Sequence, residues 1–230
     1  MKDYLVKSFE KSLNERKEYY LYDIPIFILN PFSEEIKIDD VVEEITNIIP
    51  YKFLKGLEGV YVGDFPELKD RDIHAMLKDD AIYLSSILPD DESVSYDLIV
   101  SDVVHEIAHL LENKQYYEIY GDKEIETEYL GKKKRLVDLL RANGISFHGM
   151  GKLFFSEEHV DELDNFLYDQ IGYDKIIPLT VGLFTSPYSV TSLREYFANG
   201  FEEYLSGDKD YLKEISPSLY NKIEFLIKGE

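Results

Sequence analysis

Residues 105–109 read His-Glu-Ile-Ala-His. On an α-helix, positions i and i+4 lie one turn apart on one face, so His105 and His109 can hold a single ion between them. Glu106, beside them, is then placed to take a proton from a water on that ion. Zinc lowers the pKa of such a water toward neutrality and polarises a substrate carbonyl, so the chemistry to which the spacing points is metal-assisted hydrolysis. The plainer reading is two core or surface histidines that fall four apart by chance. A further metal reading takes Glu106-x-x-His109 as half of a carboxylate di-iron signature, but the chain has no second Glu-x-x-His.

A catalytic zinc needs a third protein ligand and an open fourth position. Of the other histidines, His74, His148 and His159, the last two read as ordinary surface residues, one in the glycine-rich stretch ISFHGMG and one in a charged helix. Among the carboxylates the best placed is Glu195, in VTSLREYFANGFEEYL. A helix there has Leu193, Phe197, Phe201, Tyr204 and Leu205 on its buried side, with Glu195 and Asn199 sharing a face beside it. A solvated helix charge is an equally simple account of Glu195 taken alone.

These side chains need elements to position them. Ile99, Val103, Ile107, Leu110 and Leu111 recur at helical spacing, which predicts a long helix from about 95 to 117, buried on one face and presenting the histidines on the other. Further helices are expected over 4–20, 39–49 (stopped by Pro50), 124–142 (stopped at Asn143-Gly144), 157–171 (opened by Ser156), 191–205 and after Pro217. Strands are expected at 26–29, 57–65 and 81–86, the last alternating Ile82 and Leu84 against Ala81, Tyr83 and Ser85. Strands early and helices late make the fold class α+β.

With these residues in hand, the chain resembles a known group. HEIAH at 105, followed by Tyr188-x6-Glu195-Tyr-Phe-Ala-x-x-Phe, is similar to the catalytic domain of the anthrax lethal factor type. That group includes the clostridial Pro-Pro endopeptidases and belongs to the gluzincin metallopeptidases. The resemblance covers roughly residues 57–228 and implies a zincin-like fold, a small mixed sheet with an edge strand beside the cleft and several helices. It implies one Zn2+ per chain on His105, His109 and Glu195, Glu106 as general base, and Tyr188 as donor to the developing oxyanion. It also implies an extended peptide paired with the strand of Ile82, Tyr83 and Leu84. Where the family usually has Gly this chain has Ala108, and where it often has Glu four residues past the third ligand stands Asn199. Asn199 and Glu112, three residues after His109, are the candidates to support the histidines from behind. The spacing between His109 and Glu195 exceeds the family's, so about 121–180 is expected to be a helical insertion in a catalytic domain spanning 57–230. Residues 1–56 are expected to form a helical and extended segment packed on that domain.

Composition bounds the rest. The 230 residues contain no cysteine, which excludes thiolate metal sites, disulfides and a cysteine nucleophile. Forty-four per cent apolar residues, with 19 Tyr and 13 Phe, suffice for a core. The formal charge of −21 opposes binding to nucleic acid or anionic lipid and favours basic peptides as substrates. The first twenty residues lack the apolar stretch of a signal peptide and no segment reads as a membrane span, so a cytoplasmic protein, or one exported without a classical signal, is expected. The expected activity is endoproteolysis of an extended protein substrate. The other expectation in view is a catalytically degenerate relative, a binding or regulatory module in which zinc is structural.

Overall fold

The computed structural model describes residues 18–33, 35–87, 94–146 and 149–229. Most of the helix expected over 4–20 lies outside these residues, as does His148; residues 19–21 are a strand. The chain is mixed α+β, with five strands and nine α-helices among the described residues. None of those helices is long and apolar enough to cross a membrane. The chain forms two compact units.

The first unit comprises residues up to 47 together with 55–100. Its strands are β1 (Tyr19–Leu21), β2 (Ile24–Ile28), β3 (Gly59–Gly63), β4 (Ala75–Lys78) and β5 (Ala81–Ser85), in the order β1-β2-β3-β5-β4. β2, β3 and β5 run parallel, with Ile26 opposite Val60 and Val60 opposite Ile82. Parallel neighbours need crossovers. Helix α1 (Ile38–Ile48) lies in the first connection, burying Val41 and Ile45 behind an acidic first turn of Asp39 and Asp40. The short α2 (Pro66–Asp70) lies in the second. β4 and β5 form a hairpin around Asp79 and Asp80, both in the left-handed region at φ 52° and 57°, as a two-residue type I′ loop requires. Alternation sorts the two faces: Val60, Val62, Ile82 and Leu84 are buried, while Phe27, Tyr61 and Tyr83 stack across the strands at 4.9 and 5.1 Å.

Two expectations need correction here. β5 is not an edge strand. Its main chain pairs with β3 on one side and β4 on the other, so the peptide groups of Ile82, Tyr83 and Leu84 are already engaged and cannot receive a substrate strand. The four-residue β4 takes the outer place. The division at residue 56 also fails, because β2 hydrogen-bonds to β3 and one sheet spans that boundary.

The second unit comprises 48–54 and 101–229. Its helices are α3 (Tyr96–Tyr120, of which the first turn counts with the first unit), α4 (Glu124–Ala142), α5 (Asp161–Asn165), α6 (Tyr173–Thr180), α7 (Leu193–Ser206), α8 (Lys209–Ile215) and α9 (Pro217–Lys228). α4 ends on Asn143 and Gly144, the latter left-handed at φ 72°, where the sequence places its stop. α4 packs on α9 and α7 and buries Ile125, Tyr129, Leu136, Val137 and Leu140, so it contributes to the core of this unit. The helix expected from 157 starts at 161 and continues as a π-type turn through Ile171. Residue 157 is held outside it, its carbonyl accepting from the Leu193 N–H at 2.7 Å. The ends of α9 are satisfied by side chains. Glu128 accepts from the N–H groups of Ser218 and Leu219 at 2.8 and 3.2 Å, and Lys52 donates to the carbonyls of Leu226 and Ile227 at 2.8 and 2.7 Å.

Candidate metal centre

α3 is not one-sided as its spacing suggests. From Val103 to Glu112 every residue but His105 is buried, so the HEIAH turn runs through the interior and not along a surface. The rings of His105 and His109 lie 4.8 Å apart at 82°. Glu195 comes to them from α7, as the third residue of that helix. Its N–H is satisfied by the N-cap hydroxyl of Ser192 at 3.1 Å, which leaves the carboxylate free to turn inward. One carboxylate oxygen is 3.1 Å from Nε2 of His105, the other 3.5 Å from Nε2 of His109. The candidate ligand atoms of all three residues lie within 4.8 Å of one another.

The remaining ring nitrogens face carboxylates of their own. Nδ1 of His105 is 3.4 Å from Glu202, whose other oxygen accepts a short hydrogen bond from the Ser101 hydroxyl. Nδ1 of His109 is 3.5 Å from Glu112, which is 2% exposed and is itself held by the Tyr120 hydroxyl at 2.5 Å and the Arg194 guanidinium at 2.8 Å. A carboxylate behind each imidazole favours a proton on Nδ1, so Nε2 is the nitrogen that an ion would take.

The electrostatics favour positive charge at this point. Burial works against protonation of His105, but Glu195 and Glu202 outweigh it and raise the group to about 10. His109 is raised likewise, burial being overcome by Glu112 and Glu195. Burial also opposes ionisation of Glu195, yet the two histidines hold its carboxyl well below the usual range. Two protons or one divalent cation would satisfy the same three groups. Two imidazole nitrogens and a carboxylate form a donor set that suits zinc.

Glu106 is buried beside this cluster. Asp102, one turn before Glu106, is pushed up to about 7, first by burial and then by the charges of Glu106 and Glu202. Tyr188 lies on a 3₁₀ turn, Tyr188–Val190, that leads into α7, and is 38% exposed. His74 belongs to the first unit and His159 sits 3.3 Å from Asp161; neither joins the group. Asn199 does not support a histidine. Its amide N–H donates to the Glu195 carbonyl at 2.8 Å and its oxygen accepts from Ser186 at 2.7 Å. Glu202 takes the part expected of it. The sequence does carry a signal for Glu202, which stands seven residues after Glu195 and so on the same face two turns on.

Compared with protein families, with curated proteins and with solved structures, the chain finds no match. Its own residues therefore carry the functional reading.

Proposed function

We propose that this chain is a zinc-dependent endopeptidase, zincin-like and of the gluzincin kind, that hydrolyses peptide bonds of an extended protein substrate. The observation that supports it is the meeting of His105, His109 and Glu195 within 4.8 Å, each histidine backed by a separate carboxylate. Those three residues would hold the zinc, which when bound supplies Lewis acidity toward the scissile carbonyl and toward water. Glu106 accepts the proton of the attacking water and delivers it to the departing amine, so one carboxylate serves as base and then as acid. Tyr188 donates its O–H to the oxygen on which negative charge develops. The charge of −21 makes basic peptides the preferred class.

The experiment is metal analysis together with cleavage of a fluorescence-quenched peptide library, on the wild type and on Glu106→Gln. The expected result is one zinc per chain in both proteins and cleavage only by the wild type, the variant losing at least about a hundredfold. Stoichiometric zinc with no cleavage by the wild type would instead assign the ion to stapling α3 to α7. Cleavage by Glu106→Gln at the wild-type rate would remove Glu106 from the chemistry.

A further inference from the structure

Lys133 is fully buried, although it sits in a stretch of sequence, KKKR, that reads as solvated charge. Its Nζ donates at 3.0 Å to the Tyr129 hydroxyl, one turn earlier on α4, and at 3.0 Å to the carbonyl of Ser156. The rings of Tyr129 and Phe154 flank it at 4.9 and 5.7 Å. An apolar side chain would fill this place without desolvating an amine, so the hydrogen bonds are what a lysine adds here. They lead toward the candidate centre by two routes. Tyr129 donates its own O–H to the carbonyl of Val190 at 2.8 Å, and Val190 closes the turn that carries Tyr188. Ser156 is followed by Glu157, whose carbonyl receives the N–H of Leu193, the first residue of the helix that bears Glu195.

We propose that Lys133 and Tyr129 are positioning residues for Tyr188, fixing through main-chain carbonyls the span between that tyrosine and the Glu195 helix. The proposal rests on the peptidase reading above. A three-residue 3₁₀ turn has little stiffness of its own. Within this one, Val190 N–H bonds the Pro187 carbonyl at 3.2 Å and Thr191 N–H the Tyr188 carbonyl at 3.0 Å. The Ser186 hydroxyl holds Ser189 and the Thr191 hydroxyl donates to the Tyr188 carbonyl at 2.8 Å, while the anchor of the turn on the α4 side is the Tyr129 hydroxyl. Ammonium and amine both donate, so the brace does not require Lys133 to be charged.

The test is a double-mutant cycle on the zinc-loaded full chain, read as kcat and KM on the best-cleaved peptide of the library. Tyr129→Phe keeps the ring and removes one oxygen. It is expected to lower kcat by about tenfold to a hundredfold, with KM within about twofold and zinc content unchanged, because a displaced donor weakens only the transition state. In a Tyr188→Phe background the same substitution is expected to change kcat by less than about twofold, since the group being positioned is gone. Lys133→Met should behave as Tyr129→Phe does. If Lys133→Met does not fold, as judged by circular dichroism, Tyr129→Phe decides alone. Multiplicative effects in the double variant would overturn the proposal and leave Tyr129 as a core residue only. A silent Tyr129→Phe beside an impaired Tyr188→Phe overturns it while sparing the peptidase reading. A silent Tyr188→Phe removes the oxyanion role and this proposal together, and a fully active Glu106→Gln marks failure of the peptidase reading itself.

Discussion

Glu195 meets several requirements from one position. It stands in the first turn of α7, where the helix dipole favours a carboxylate; its N–H is capped by Ser192; and its two oxygens face both histidines. His105, Glu106 and His109 are legible in the sequence because their relation is local to one helix. Glu195 needs the tertiary fold, and Glu202 needs it more, since Asn199 offers the nearer spacing and only the approach of α7 to α3 decides which residue meets a ring nitrogen. Glu202 is therefore where a residue-level prediction is sharpest. Its side chain is 31% exposed, so Glu202→Ala should fold normally and lose about ten- to a hundredfold in zinc affinity, measured by competition with a chelator. Glu112→Ala should lose affinity similarly and stability as well, because it strips partners from the Tyr120 hydroxyl and Arg194. Unchanged affinity in both variants would mean that the carboxylates behind the rings do not tune the site.

At the scale of elements, legibility follows length. The long periodic helices α3, α4, α7 and α9 lie where apolar spacing and their stop residues put them, whereas β4, four residues of mixed character, leaves no period to read. The edge expected of β5 comes from the family resemblance alone, and the unread β4 is what takes that place. Packing between elements is not written locally either. Gly200 of α7 reads as a neutral helix position, yet a Cβ there would collide with the Leu219 side chain of α9. Ala is the better helix former by about 1 kcal/mol, so helix propensity and close packing predict opposite signs for Gly200→Ala. Overpacking should win, lowering stability by about 1–3 kcal/mol in urea denaturation, because Leu219 is itself fully buried and has no room to yield. A stabilised variant would show that α9 moves away at little cost.

For the molecule as a whole, a formal charge of −21 makes acidic groups the obvious source of pH dependence, yet two buried bases on α4 give it a sign of its own. Burial pushes Lys133 down to about 7 and Lys132 down to about 8, against 10.5 for an ordinary lysine. The partners of Lys133 are the Tyr129 hydroxyl, the Ser156 carbonyl and the Tyr129 and Phe154 rings, all uncharged. A depressed base means that above pH 7 the unfolded chain holds a proton the folded chain has released, so stability rises with pH from there toward 10.5. Below pH 7 both states are protonated and the desolvation penalty stands in full. The slope lessens near pH 10, where buried Tyr129, its own pKa raised first by burial, starts to favour protonated folded protein over ionised unfolded chain. Urea unfolding of the wild type and of Lys133→Met at pH 6, 7.5 and 9.5 isolates this residue, because titrations away from it cancel in the difference and its partner Tyr129 keeps its proton over this range. The wild type should gain on the variant by on the order of 3 kcal/mol between the first and last of these. A difference that stays flat would mean that Lys133 keeps its proton in the folded interior.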